Sequence, residues 1–282
     1  IEKQEFSTYM KMVFVNPQWQ GGADKVTLRG AEEIEEIYLN NVNYIKSPVS
    51  ERTDELDLEH DVKGFSVLKR QMEQALALLN RNAPQKLFSI GGSCDADIPA
   101  IAYLNQKYSG DLVVLWFDAH GDLNTPSESS TKLFYGMPAR MLLDESGQSL
   151  SSIVERPLYS EQFMHIGGRD LDDSEWEHIK TASIKTMAPK ALIEQPEHIR
   201  DWIHLTGYNN VHIHMDLDIL EPNEFPHTPL SVGNGVSFHS LFTALQLIRE
   251  HCHIVGFGLY QYQPCGMRLQ MMEKLIEFGL SL

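Results

Sequence analysis

LVVLWFDAHGDLN, residues Leu112 to Asn124, begins as six uninterrupted apolar residues and ends in three potential metal ligands. An apolar run of this length, bounded by a polar turn, reads as a strand buried on both faces. Asp118, His120 and Asp122 follow at alternate positions, and alternation at a strand end lets such side chains point into one cavity. Ala119 and Gly121 between them are small enough for close approach. A second junction of the same kind occurs where VHIHM, Val211 to Met215, runs into Asp216 and Asp218. Asp118, Asp122, Asp216 and Asp218 drawn together would repel one another strongly unless cations neutralised them. The two strand ends therefore predict one shared divalent-metal site. Carboxylate-rich ligation with one imidazole suits manganese or magnesium better than a structural zinc. His212 and His214 alternate on the second strand and are assigned to the core, or to support of the ligands, rather than to ligation.

Outward from these junctions, strands alternate with helices. Strands are expected at Tyr9 to Val15, Asn43 to Ile45, Lys86 to Ile90, Phe163 to Ile166 and Ile254 to Tyr260. Helices are expected over Gly30 to Leu39, Gly64 to Asn80, Ile98 to Tyr108, Phe134 to Leu143, Pro196 to Leu205, Phe238 to Arg249 and Met267 to Phe278. The clearest is the second, in which Phe65, Leu68, Met72, Ala75, Leu76 and Leu79 keep one face apolar and Asn82-Ala83-Pro84 ends the pattern. This alternation predicts the α/β class, with a parallel sheet covered by helices on both faces. Ligands of such sheets bind beyond the carboxyl ends of the strands, where all the candidate residues fall. No linker or internal repeat interrupts the pattern, and Ser47 to Asp61 reads as a loop, so residues 1–282 are expected to form one domain.

A formal net charge of -16 works against nucleic acid as a partner, since a binder needs clustered Lys and Arg to displace counterions from phosphates. No apolar run of 18 residues and no signal-peptide pattern occurs, so no membrane association is expected. Cys94, Cys252 and Cys265 form an odd set without CxxC spacing. That speaks against a disulfide scaffold and for a reducing, cytoplasmic setting.

With these residues in place the chain resembles the ureohydrolase superfamily of arginases, agmatinases and formiminoglutamases. Its Gly-Gly-Asp-His, Asp-Ala-His-x-Asp-x-Asn and Asp-x-Asp-x-x-Asp-Pro signatures are matched, in order, by Gly91 to Cys94, Asp118 to Asn124 and Asp216 to Pro222. The resemblance implies a three-layer α/β/α fold with a mostly parallel sheet, two manganese ions bridged by a water or hydroxide, and a homo-oligomer, trimeric or hexameric. It further implies that Asp118 and Asp216 bridge the metals, with Cys94 and Asp122 completing one site and His120 and Asp218 the other. Asn124 and Thr131 match positions that bind a substrate α-carboxylate. Asp172 and Glu175 match those recognising the α-amino group.

Three residues near the reacting centre depart from the pattern. Cys94 stands at a usual histidine ligand, and a thiolate favours zinc over manganese, so zinc or a half-filled site becomes an alternative. Some hydroxyarginine hydrolases of the superfamily resemble this chain in having cysteine there. Tyr135, eleven residues after Asn124, stands where arginases carry a proton-shuttling histidine, and a phenol of pKa about 10 is a poor shuttle at neutral pH. Gln261 replaces a glutamate that pairs with the cationic guanidinium, which a neutral amide cannot do. Glu221, before Pro222, is a conservative change. The expected function is metal-dependent hydrolysis of a C-N bond in a small guanidino- or amidino-type amino-acid derivative, with Asp122, Tyr135 and Gln261 as candidate catalytic residues and arginine itself disfavoured. The alternatives are a formiminoglutamase or agmatinase-type hydrolase and a non-catalytic scaffold with a degenerate metal site.

Overall fold

The computed structural model describes residues 10–143 and 153–282, and over these the alternation holds. The strands are β1 (Lys11–Asn16), β2 (Tyr44–Lys46), β3 (Leu58–Glu59), β4 (Val62–Lys63), β5 (Lys86–Gly91), β6 (Val113–Phe117), β7 (Phe163–Ile166), β8 (Lys185–Met187), β9 (Asn210–Asp216) and β10 (His253–Tyr260). The α-helices are α1 (Val26–Tyr38), α2 (Phe65–Asn82), α3 (Ile98–Lys107), α4 (Pro138–Leu142), α5 (Asp173–Thr181), α6 (Pro189–Glu194), α7 (Glu197–Thr206), α8 (Phe238–His251) and α9 (Gln270–Leu280). Eight strands form one sheet in the order β2-β1-β5-β10-β9-β6-β7-β8. All its pairings are parallel, while β3 and β4 make a separate antiparallel ribbon.

Period-two alternation divides the strand side chains between two apolar cores, one on each face of the sheet. Val113, Leu115 and Phe117 of β6 pack with α1 and with α6 to α9, whereas Val114 and Trp116 pack with α2 to α5. All five β6 side chains are fully buried. At roughly 1.5–3 kcal/mol for each large apolar side chain removed from water, this strand anchors both layers. The uninterrupted apolar run that predicted it is the sequence consequence of having helices on either side.

The arrangement sets the site. β9 lies directly beside β6, with Phe117 opposite Met215 and Trp116 opposite His214, so the segments leaving both strands start side by side. β10 and β5 continue the sheet on the far side of β9. The carboxyl ends of four adjacent strands thus deliver Cys94, Gln261, Asp216 and Asp118 to one edge.

Local departures from the sequence reading have identifiable causes. The expected Phe134 to Leu143 helix is split into a 3₁₀ turn, Phe134–Gly136, and the short α4, because Pro138 lacks an amide hydrogen and can only open a new helix. α1 begins at Val26, where Asp24 Oδ1 accepts the Val26 N–H at 2.9 Å, rather than at Gly30. α5, β8 and α6 were not anticipated, and the 47–61 stretch read as loop carries β3 at its end. Tyr9, which opened the first expected strand, lies outside the described residues.

Candidate metal centre

Asp118 is the hub. Its Oδ2 lies 4.0 Å from Cys94 Sγ and accepts the Trp116 indole N–H at 3.1 Å. Its Oδ1 faces His120 Nδ1 at 3.6 Å and accepts the His120 backbone N–H at 2.6 Å. His120 Nδ1 also lies 2.8 Å from Asp218 Oδ2, and Asp218 Oδ1 accepts the Ala119 N–H at 3.0 Å. Asp216 Oδ1 accepts the Asp218 N–H at 2.8 Å, while its Oδ2 accepts the Cys94 thiol at 3.0 Å. Cys94, Asp118, His120, Asp216 and Asp218, expected as ligands from three separated segments, therefore converge, and Asp122 is near enough to feel the charges of Asp118, His120 and Asp216.

The donors sort into two groups sharing Asp118. One ligand atom each from Asp118, His120 and Asp218 falls within 4.8 Å of the others, and so does one each from Cys94, Asp118 and His214. The electrostatics say what such a cluster lacks. Burial, reinforced by the Asp118 charge, pushes the Asp122 carboxyl well above its ordinary range. Burial and the charges of Asp218 and Asp118 do the same to Asp216. Burial opposes ionisation of Asp118 too, but the His120 hydrogen bond together with the charges of His120, His165 and His214 outweighs it and holds that carboxyl below its usual value. Burial likewise opposes protonation of His120, yet its bonds to Asp118 and Asp218 push it up to about 12. Divalent cations would supply the positive charge that such crowded carboxyls need in order to ionise together. Asp122 Oδ2, buried without a hydrogen-bond partner, supplies a free donor. The residues present fit a pair of divalent ions.

Two residues with unusual backbone conformations lie at the same place. Asp122 and Gln261 both adopt left-handed conformations, at φ 55° and 60°, sparsely populated by residues other than glycine and retained where the surroundings enforce them. The Gln261 N–H bonds Gly92 O at 2.9 Å, and its Nε2 reaches Cys94 Sγ at 3.6 Å. Gly121 has no room for a side chain, since a Cβ would lie 2.5 Å from Glu175 Oε1. Gly121→Ala is expected to destabilise the protein by about 1–3 kcal/mol, read as a lowered denaturant midpoint; an unchanged midpoint would show that Glu175 moves freely.

The remaining expected residues are placed as follows. Half-buried Tyr135 packs against Gly22, and burial raises its phenol further above 10, which makes it a hydrogen-bond donor rather than a neutral-pH shuttle. Asn124 Nδ2 donates to Asp172 Oδ2 at 2.9 Å, and Ser174 bridges the two. Thr131 is exposed, and its hydroxyl accepts the Leu133 N–H at 3.2 Å within its own loop. Glu175 is buried, its Oε1 accepting the Leu123 N–H and its Oε2 the Asp172 N–H, each at 3.0 Å. Oε2 thus closes the start of α5 while Oε1 ties that helix to the ligand-bearing segment, and burial pushes the carboxyl up to about 7.

Sequence reasoning passed over several contributors. Trp116 anchors Asp118, and Asp97 receives His212 Nε2 at 2.8 Å and His214 Nδ1 at 2.9 Å in full burial. His165 Nε2 bonds the His120 carbonyl at 2.5 Å. Period two was the available signal, because Trp116 shares a strand face with Asp118 and His214 with Asp216.

The parallel α/β sheet gathers at its carboxyl edge two groups of residues that could each hold a metal ion, with Asp118 common to both. The arginase family model matches residues 27–267, and the chain belongs to the arginase family, within the ureohydrolase superfamily. It is 30% identical over 201 residues to the arginase of Staphylococcus aureus strain MRSA252, covering 70% of this chain and 65% of that protein's length. To the arginase of Bacillus subtilis strain 168 it is 27% identical over 213 residues, covering 73% and 72%. The crystal structure of Entamoeba histolytica arginase in complex with L-ornithine superposes with a TM-score of 0.84 at 19% identity over 97% of each chain. Formimidoylglutamase from Bacillus subtilis superposes with a TM-score of 0.72 at 15% identity, covering 99% of this chain and 92% of that one. These likenesses bear out the expected superfamily and α/β fold. Among the described residues, no helix is long and apolar enough to cross a membrane.

Proposed function

We propose that the protein is a binuclear metallohydrolase that cleaves a C-N bond in a guanidino- or amidino-type amino-acid derivative less basic than arginine. The observation that carries this reading is Asp118 standing between two groups of metal donors. Two divalent ions, manganese or zinc, would be held by Cys94, Asp118, His120, Asp122, Asp216 and Asp218. When bound, they supply Lewis acidity and acidify a water molecule near a trigonal carbon. With Asp122 Oδ2 given to a cation, the other oxygen of the same carboxylate would hold and return the proton that a departing amine needs. Gln261 commits its Nε2 to Cys94, which leaves Oε1 to accept an N–H from an uncharged substrate group. The Asn124, Ser174 and Asp172 cluster, with Thr131 on its loop, offers polar groups to the substrate's zwitterionic end, while Glu175 fixes the segment between them. A single domain spanning 1–282, assembled as a homo-oligomer in the cytoplasm, completes this reading.

The test is a substrate panel on protein reconstituted with manganese or zinc, comprising arginine, hydroxyarginine, agmatine, formiminoglutamate and guanidino acids. Turnover of hydroxyarginine or an amidine above arginine supports the proposal, and hydrolysis of none rejects it. Formiminoglutamate or agmatine as the preferred substrate would move the protein within the same enzyme class. The scaffold reading is favoured by one contact, the Cys94 thiol donating to Asp216, which closes part of the centre without a cation. Cys94→His separates the two. An imidazole there is expected to raise manganese affinity at least about tenfold by calorimetry, whereas unchanged weak binding would favour the scaffold.

A further inference from the structure

We infer that His214 is itself a ligand, and that Cys94, Asp118 and His214 form a thiophilic site which takes zinc in preference to manganese, leaving the two ions of the centre chemically unequal. This deepens the binuclear reading and rests on it. One ring nitrogen of His214, Cys94 Sγ and an Asp118 oxygen lie within 4.8 Å of one another, and all three side chains are buried. Four-coordinate zinc, with bonds of about 2.0–2.3 Å, would draw such donors in by about 1 Å.

The imidazole is oriented as a ligand would be. Its Nδ1 is held by the Asp97 carboxylate at 2.9 Å, while Nε2 is buried without a hydrogen-bond partner. A carboxylate on one ring nitrogen fixes the tautomer and leaves the lone pair of the other for a cation. The ring plane is clamped as well, stacked on Trp116 at 3.5 Å between centroids and on Tyr260 at 4.7 Å, at interplanar angles of 7° and 9°. His212 also has one ring nitrogen on Asp97 and the other unpartnered; what sets His214 apart is that it alone of the two lies with Cys94 and Asp118. With an imidazole and a thiolate on one ion, and a carboxylate-rich set with a single imidazole on the other, the softer metal belongs at Cys94.

The test loads metal-free protein with one equivalent of cobalt(II) and then a second. The first equivalent is expected to give a thiolate-to-cobalt charge-transfer band with intense four-coordinate visible bands. His214→Asn, whose amide can still donate to Asp97, is expected to weaken that equivalent at least tenfold and leave the second unchanged. Should the variant fail to fold, X-ray absorption of the wild-type protein holding one equivalent of zinc decides, with one sulfur and at least one imidazole in the shell as the supporting result. A sulfur shell without imidazole, or an unaltered band and affinity in His214→Asn, overturns the inference and leaves the binuclear centre standing. Absence of any cobalt binding by the wild type overturns both.

Discussion

Asp118→Asn is expected to lower kcat/KM on the best substrate of the panel at least about a thousandfold, equivalent to about 4 kcal/mol of transition-state stabilisation, and to remove the thermal stabilisation that added metal confers. The reason is geometric. The two oxygens of Asp118 face different groups, Oδ2 toward Cys94 and Oδ1 toward His120, so one carboxylate serves both. An amide offers a single uncharged acceptor, and whichever way it turns, its N–H meets a donor, either the Trp116 indole or the His120 backbone N–H. Without metal one effect of the substitution works the other way. The Asp118 charge helps to raise the carboxyls of Asp122, Asp216 and Asp218, and removing it relieves all three. That relief opposes the loss of the bonds to Trp116 and His120, so the variant is expected to lose less thermal stability without metal than with it, read by calorimetry. Saturating metal at a hundred times Kd, which stabilises an intact site by about 2.7 kcal/mol, should do little for the variant. A variant that still binds two ions and turns over substrate would remove Asp118 from the centre of the scheme.

The same residue marks how far the sequence could be read. Six apolar residues ending in Asp118, too few for a buried helix and rich in Val and aromatics, read as a doubly covered strand, and parallel strands carry their functional residues at the carboxyl ends, so the class of fold and the main donors were visible before any coordinates. The strand order was not. Nothing local says that β9 lies between β10 and β6, which is a consequence of how the helices between them pack. Glu175 illustrates a second limit. The Asp172-x-x-Glu175 spacing is a capping-box pattern that the chain displays openly, and the structure forms that box at the start of α5. Only the folded chain shows that the other side of the same carboxylate holds the Leu123 N–H beside Asp122. Asp97 marks the deepest limit. Its partners His212 and His214 are 115 and 117 residues away, and a carboxylate near a glycine-rich turn carries no sign of a buried double contact.

Gln261 governs the second large effect. Its side chain is 4% exposed and held by a left-handed backbone, with the main-chain N–H on Gly92, so a replacement of the same length must occupy the same place. In Gln261→Glu a charged acceptor would stand where the amide now reaches Cys94 Sγ, and the thiol would have to turn its proton toward it or ionise against it. Burial and the charges of Asp216, Asp122 and Asp118 already push the Cys94 thiol well above its ordinary value, so the added charge is expected to weaken the metal-free protein by about 1–3 kcal/mol. A guanidinium entering the site compensates that charge through a paired hydrogen bond, whereas an uncharged amidine does not. The ratio of kcat/KM for arginine to that for the preferred neutral substrate is therefore expected to rise at least about tenfold, or about 1.4 kcal/mol. The effect should fall mainly on KM, because the new attraction is present in the bound ground state as well as in the transition state. A ratio that stays level while both substrates decline together would mean that the amide acts on Cys94 and the metal rather than on the substrate. The preference against arginine would then have to originate elsewhere, with the Asn124 and Asp172 cluster the next place to substitute.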